Sequence, residues 1–556
     1  MKKLFFSAAV LLTSHISHLT SLHAQVQQEW VHTYNSPSFI QDFGVPVREL
    51  QIDAAGNAFI AGTIKNTGTG NDMAVVKINK QGTRLWVATY NSTANKDDNV
   101  SGLVIDSAGN SYITGNTATT SSGKDIVVVK FDTAGKLLWS KQYNGPDNKY
   151  DAGTHLAIDP WGNIIVIGVS NGTATNDDYV TIKYDSAGVQ QWVKRYNGTG
   201  NGKDWAITAI TDKYGNIYVA GESAGTGSGK DYLTIKYDSA GVEKWVKRYN
   251  GTGNDVDYVQ YPNSIAIDTL CNVYITGYST GLDGTLDYAT IKYDSLGNEK
   301  WVSRYSKGAG ITDYGDALYV DKSLNVYVTG ASEKTPGVNF DFATVKYNSL
   351  GVQQWVAYYD GQGTGNQWDE AYAVVADDSL NVYILGRSIG TTTGTDLVTI
   401  KYDSTGKQLW AMRYLNNGSD WPSAIRYAAA DNSIYIGGAI TTSPSGSFDM
   451  TVIKYKQVPL GVEALQGGNM NISLFPNPAS DVVTVVIHSN HEAVSATYSM
   501  VDYMGRVIAA GDNIALHTGD NQIKISTHTL PNGVYFVRIM SEKSSWNQKL
   551  VIVRNG

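Results

Sequence analysis

Five pairs of adjacent residues join a carboxylate to a large aromatic ring: Asp204-Trp205, Asp257-Tyr258, Asp313-Tyr314, Trp368-Asp369 and Asp420-Trp421. An aromatic face offers a broad apolar surface on which a sugar ring can stack, and a carboxylate beside it accepts hydroxyl protons. Such pairs suit a polyhydroxylated ligand. The competing reading is structural: the rings cover the ends of strands, and each Asp caps a loop by accepting backbone N–H bonds.

The aspartates belong to two larger sets. The first is Asp98, Asp151, Asp204, Asp257, Asp313, Asp369 and Asp420, with Asp42 at a shifted spacing. The second is Asp72, Asp125, Asp178, Asp231, Asp287, Asp341, Asp396 and Asp449, each five residues before a lysine. No cofactor is expected, although an acidic crown of this kind could hold a structural cation such as calcium, which takes oxygen ligands. Because every copy carries these aspartates, loop capping is the favoured role; a ligand site usually breaks the symmetry of its scaffold.

Catalytic signatures are sparse. There is no G-x-S-x-G, H-E-x-x-H or P-loop motif. Outside the first 24 residues and the stretch after 487, only His32 and His155 remain, too few for a histidine metal centre. The single cysteine, Cys271, excludes an internal disulfide. The remaining enzymatic option is a secreted polysaccharide-acting enzyme that uses paired carboxylates on one face. The chain of 556 residues is acidic, with net charge -8, which argues against a nucleic-acid partner.

These residues must be positioned by repeated strands. Trp30, Trp86, Trp139, Trp192, Trp245, Trp301, Trp355 and Trp410 recur about every 53 to 56 residues. A strand-ending glycine recurs with them, at Gly62, Gly115, Gly168, Gly221, Gly277, Gly330, Gly386 and Gly438. So does a lysine, at Lys77, Lys130, Lys183, Lys236, Lys292, Lys346, Lys401 and Lys454. In one unit, strands are expected at 206–211, 217–221, 232–237 and 243–249, separated by Asp/Asn/Gly turns. Four antiparallel strands per unit, repeated eight times, predict an all-β chain built on an eight-bladed β-propeller, with seven blades as the alternative. The last copy lacks its own Trp strand, so the strand around Trp30 is expected to complete it and close the ring. The tryptophans are read as packing between blades, and the lysines as partners of the turn aspartates.

The repeat I-x-x-D-x-x-G-N-x-Y-[IV]-x-G with K-Y-D-S-x-G-x-x-x-W-[VA]-x-x-Y resembles the SBBP family of bacterial β-propeller repeats, over most of residues 29 to 456. That family is defined by its repeat and implies no single activity. The Y-D-S-x-G-x-x-x-W portion is also similar to the tryptophan-docking motif of quinoprotein dehydrogenases. Those enzymes typically carry adjacent cysteines, which this chain lacks.

After residues 25–456, a linker is expected over 457–470 and a small Ig-like β-sandwich over 471–556. The motifs there are F-P-N-P-A-S-D, with Pro476, Asn477, Pro478 and Asp481; D-Y-M-G-R, with Asp502, Gly505 and Arg506; L-P-N-G-V-Y, with Gly533 and Tyr535; and a last strand containing Lys549. In this order they resemble the C-terminal sorting domain of the type IX secretion system of Bacteroidota. The resemblance implies the type IX machinery as a partner and export across the outer membrane. It also implies removal of the domain, with the cargo released or attached to surface polysaccharide. Residues 1–24, with Lys2 and Lys3 before an apolar run, read as a signal peptide cut after Ala24, not as a transmembrane anchor. The function expected is a noncatalytic binding or adhesion module, secreted or on the cell surface, with extracellular or surface polysaccharide as the candidate partner. A further pattern, Asp-Ser/Thr followed by Ala, Leu or Thr, lies in the turns of the opposite face, as at Ser186, Ser239 and Ser295. It resembles an O-glycosylation acceptor, but turn chemistry explains the same residues.

Overall fold

The computed structural model describes residues 25–34, 47–66, 68–119, 123–172, 176–361, 368–390, 394–416, 418–441, 448–458, 470–489, 494–502, 507–541 and 544–554. The expected signal peptide with Ala24, as well as Asp42, Gly505 and Arg506, lies outside them. The chain divides into two compact units, Val26–Gln457 and one that holds Val458–Gly556.

In the first unit, alternation of apolar and polar residues between Asp/Gly turns produces sheets that are antiparallel throughout their main strands. Sheet IV shows the pattern: Asp204–Thr211, Ile217–Ala224, Lys230–Tyr237 and Glu243–Tyr249 pair in that order. Equivalent sheets occupy 47–90 (I), 98–143 (II), 151–196 (III), 257–305 (V), 313–359 (VI) and 370–419 (VII). Sheet VIII takes Trp421–Ala428, Ser433–Thr441 and Phe448–Val458 from the end of the unit, and its outer strand is Gln25–Tyr34. The Trp30 strand therefore completes the last sheet, as expected from the sequence.

Each sheet packs on the next through its own apolar core. Leu103 and Val127 sit with Phe59 and Val75 between sheets I and II; Val398 and Ile400 sit with Tyr327 and Phe342 between VI and VII. The core between VIII and I joins Tyr435 and Val452 to Leu50 and Ile60, so the circuit of sheets is closed. The innermost strands touch in the same order, and that of sheet VIII returns to that of sheet I. This is a β-propeller arrangement.

The outer rim is locked by tryptophan. Trp192 lies over Gly241 in the turn of the next sheet, and its indole N–H reaches the Ser239 carbonyl at 3.4 Å. Gly241 has φ +81°, and a Cβ there would stand 2.8 Å from the ring, so only glycine fits. The same lock joins Trp30 to Gly82 and Trp355 to Gly406. Trp410 is the exception. The sheet that follows it is finished by a strand from the other end of the chain and lacks the receiving turn, and the buried Trp410 Nε1 has no hydrogen-bond partner.

The lysines also close contacts between sheets. Lys183 pairs with Asp159 at 2.9 Å and donates to the Ser239 carbonyl of the next sheet at 2.9 Å. Lys454 pairs with Asp431 and with Glu29 of the closing strand.

The second unit contains two antiparallel sheets. One holds Met470–Phe475, Val482–Ser489 and Gly519–Ser526; the other holds Val494–Asp502, Val507–Leu516, Gly533–Ser541 and Ser544–Ile552. Val483, Val485 and Ile487 of the first sheet share one core with Met500, Val537 and Ile539 of the second. Asn477 ties its motif to the last strand, donating to the Lys549 carbonyl at 2.7 Å and accepting from Val551 N–H at 2.8 Å. The hydroxyl of Tyr535 donates to the Pro531 carbonyl at 3.0 Å. Among the described residues, no helix is long and apolar enough to cross a membrane.

Candidate functional site

Asp98, Asp151, Asp204, Asp257 and Asp313 open the inner strands, Asp369 and Asp420 stand one residue before theirs, and all are buried. Asp204 Oδ2 accepts from Gly198 N–H at 2.6 Å, and Oδ1 from Ala224 N–H at 3.1 Å. Asp257 and Asp369 accept from Gly251 and Gly361 at 2.7 Å each, Asp313 from Lys307 N–H at 2.9 Å, and Asp420 from Thr441 N–H at 3.2 Å. These are loop caps that satisfy backbone donors where water does not reach. Burial outweighs the hydrogen bonds in their titration. It raises Asp257 and Asp313 to about 6 and Asp420 to about 7.

The aromatic partners of these aspartates form a connected arc over sheets IV to VIII. Trp205 and Trp368 remain 37% and 41% exposed. Lys230 Nζ lies 5.7 Å from the Trp205 ring and 5.0 Å from Tyr258, bridging the two. Tyr258 then contacts Tyr278 at 5.3 Å, and Tyr278 meets Tyr314 edge-on at 5.0 Å. Phe340 stacks on Trp368 at 4.2 Å, and Tyr314 stacks on Trp368 at 6.2 Å. Beyond them the Arg387 guanidinium lies 4.0 Å over Trp421. All five predicted aromatics thus lie along one arc, while their aspartates lie beneath it.

Sheets I and II carry asparagine where the arc carries rings. Asn71 donates to Asn99 at 3.2 Å, and Asn99 donates to Asn116 at 3.2 Å. A second polar node lies nearer the axis. Glu49 of sheet I accepts from Arg426 of sheet VIII at 3.3 Å and lies 3.7 Å from His155 of sheet III. Burial raises Glu49 to about 7 and lowers His155 to about 4, so His155 is neutral at neutral pH.

Several residues of the mouth are not apparent from the repeat pattern. Outside sheet V each inner strand carries a bulge, and the extra residue is Ser101, Thr154, Ile207 or Ser423 in four sheets. In sheet VI it is Asp316 and in sheet VII Tyr372. Asp316 is fully buried, and neither carboxyl oxygen has a hydrogen-bond partner. Burial, then the charge of Glu370, push its pKa well above the usual range. Glu370 Oε2 accepts from Arg387 at 2.9 Å, the Tyr372 hydroxyl at 2.5 Å and the Trp368 indole N–H at 3.1 Å.

Sheet V contributes an insertion. From Asp257 to Asp268 is 11 positions, where Asp204 to Asp212 is 8. The extra residues form the 3₁₀ turn Pro262–Ser264. They carry Tyr261 and Asn263 past sheet VI to sheet VII, where Tyr261 meets Tyr372 edge-on at 5.3 Å and Asn263 donates to the Tyr372 carbonyl at 3.4 Å. A departure from the repeat at the bulge position and in unit length is the sequence signal that points to these residues.

Comparison with known proteins agrees with both units. Residues 473–553 match the family described as a secretion system C-terminal sorting domain. Residues 88–120 and 244–283 match the family described as a beta-propeller repeat. An uncharacterized WD repeat-containing protein of Acanthamoeba polyphaga mimivirus is 22% identical over 450 residues, 58% of this chain; the chain spans 32% of that relative's length. PorZ, a surface component of the type IX secretion system of Porphyromonas gingivalis, is similar at 13% identity and a TM-score of 0.31, covering 92% of this chain and 75% of its own. The β-propeller domain of the Trilobed protease from Pyrococcus furiosus has 11% identity and a TM-score of 0.37, covering 66% of this chain and 98% of its own. The sorting domain directs secretion by the type IX system, whose machinery it engages. The chain carries SBBP β-propeller repeats and a type IX C-terminal sorting domain, which directs it to secretion.

Proposed function

We propose that this protein is a noncatalytic binding module of the cell exterior, an eight-bladed propeller with an Ig-like sorting domain, whose ligand is a carbohydrate. The observation that carries this reading is the aromatic arc from Trp205 to Trp421, with two tryptophans exposed above capped loops. Exposed indole faces accept sugar rings by stacking, and the cations of the arc are already paired, Lys230 with Glu222 and Arg387 with Glu370. That pairing favours a neutral polysaccharide over an acidic one. Hydrolysis by paired carboxylates would need both acids to face the substrate. Glu370 and Asp316 are only 6% and 0% exposed, so the geometry supports binding. After removal of the sorting domain, the propeller would be released or held at the outer-membrane surface. A glycan array on the mature protein, followed by titration of the best hit, tests the reading. Binding that weakens at least about tenfold in Trp368→Ala and Trp205→Ala supports it. Binding unaffected by both changes, or turnover of the glycan, defeats it.

A further inference from the structure

Four boundaries between sheets share an electrostatic device. In sheets III, IV, V and VII an arginine on the fourth strand clamps the third-strand aspartate: Arg195 on Asp178, Arg248 on Asp231, Arg304 on Asp287 and Arg413 on Asp396, at 2.8 to 3.0 Å. Each of these aspartates lies near enough to the first-strand aspartate of the following sheet to raise its pKa. The guanidinium therefore offsets a pair of carboxylates.

The boundary between sheets VI and VII departs from this twice. Its pair is Asp341 and Asp369, but the arginine position holds Tyr358, as it holds Thr89 in sheet I and Gln142 in sheet II. Two residues further on, where sheets I to IV have Asn91, Asn144, Asn197 and Asn250, stands Asp360. One positive charge is lost and one negative charge gained at the same place. One oxygen from each of Asp341, Asp360 and Asp369 lies within 4.8 Å of the others. Oxygens bound to one calcium ion at about 2.4 Å can be no more than about 4.8 Å apart, so the set has the right span. Asp341 gives an oxygen to this cluster although it is only 5% exposed, and its buried Oδ1 has no hydrogen-bond partner, as in Asp231 and Asp287. Burial and the Asp360 charge both raise its pKa. Asp369 is fixed by Gly361 N–H at 2.7 Å and Ile389 N–H at 3.0 Å. Lys334 pairs with Asp360 at 2.6 Å and is half exposed; Lys307 also acts on Asp341 and Arg413 on Asp369.

We propose that Asp341, Asp360 and Asp369 form a divalent-cation site of the calcium type, in which the ion does at this boundary what arginine does at four others. Carboxylates are hard oxygen donors, and extracellular calcium modules work at about 0.1–1 mM.

Calorimetric titration of the chelator-treated protein with calcium, alongside terbium luminescence sensitised by Trp368, is the test. Expected are one ion bound in that range and a melting temperature that rises with calcium. Asp360→Asn, at an exposed position, should weaken binding at least about tenfold while the protein stays folded. Tyr358→Arg, which restores the clamp, should abolish the calcium response and raise the melting temperature without the ion. Lys334→Gln should tighten calcium binding. No binding up to about 10 mM calcium, or wild-type binding in both Asp360→Asn and Tyr358→Arg, overturns the proposal. So does a Lys334→Gln variant that loses stability and shows no calcium response, because Lys334 would then be the permanent counter-charge.

Discussion

Two arcs of one ring are built from the same repeat and end differently. Over sheets I and II the mouth carries an asparagine ladder, Asn71, Asn99 and Asn116, whose amides bond to one another. Over sheets IV to VIII the corresponding positions carry rings that touch, with Trp205 and Trp368 open to solvent. Beneath both arcs the outer rim is nearly uniform, tryptophan on glycine at each boundary from VIII–I through VI–VII. Identity between copies therefore marks what holds the ring together. Departure marks what the ring can present.

The comparison can be broken at several levels. The largest effect belongs to the shared rim. Trp192→Ala and Trp355→Ala, one in each half of the ring, should each cost about 3 kcal/mol in denaturant unfolding. Unequal costs would show that the arcs differ in their scaffold as well as their surface. Removing a cap should cost less: Asp204→Ala leaves the buried Gly198 N–H without its acceptor, about 1–3 kcal/mol by the same measurement. At the surface, Trp368→Ala should weaken carbohydrate binding about tenfold with stability changed by less than about 1 kcal/mol, while Asn99→Ala should leave binding unchanged. If Asn99→Ala weakens binding equally, the arcs are one site.

The smallest effect is on pH dependence. Asp420 titrates at about 7 in the folded protein because it is buried, against about 4 in an unfolded chain. The native state then holds a proton that the unfolded state releases, so stability falls as pH rises between about 4 and 7. Asp420→Asn should flatten that slope in thermal melts. An unchanged slope would place the titration elsewhere.

The scaffold was legible because each of its contacts is repeated. Trp192, Gly241, Lys183 and the closing strand at Trp30 all follow from spacing, since a contact made at every boundary leaves a period in the chain. The aromatic partners were legible as neighbours of aspartates, but not their contacts: the link from Tyr258 to Tyr314 runs through Tyr278, a residue of the second strand. The buried acid Asp316 and its neighbours Glu370 and Arg387 escaped because each occurs once. Their meaning depends on a bulge that turns one residue inward, and on an insertion that carries Tyr261 across a whole sheet. Asp341 and Asp360 were hidden differently. Asp341 looks like every other third-strand aspartate until Asp360 is seen where sheets I to IV carry asparagine.

The clasp made by Gln25–Tyr34 sets an order of events. Trp30 and Tyr435 meet at 5.9 Å, yet some four hundred residues separate them in the chain. Loop-closure entropy grows only logarithmically, about 0.6 kcal/mol per doubling, so so long a closure is affordable at equilibrium but slow to find. The first strand to leave the ribosome thus waits for the last repeat before it has a partner. Until then the growing chain holds two unfilled edges and remains an open arc. A chain still being threaded through a membrane would be kept in this unlatched form, and arrival of its final strand would complete the circle.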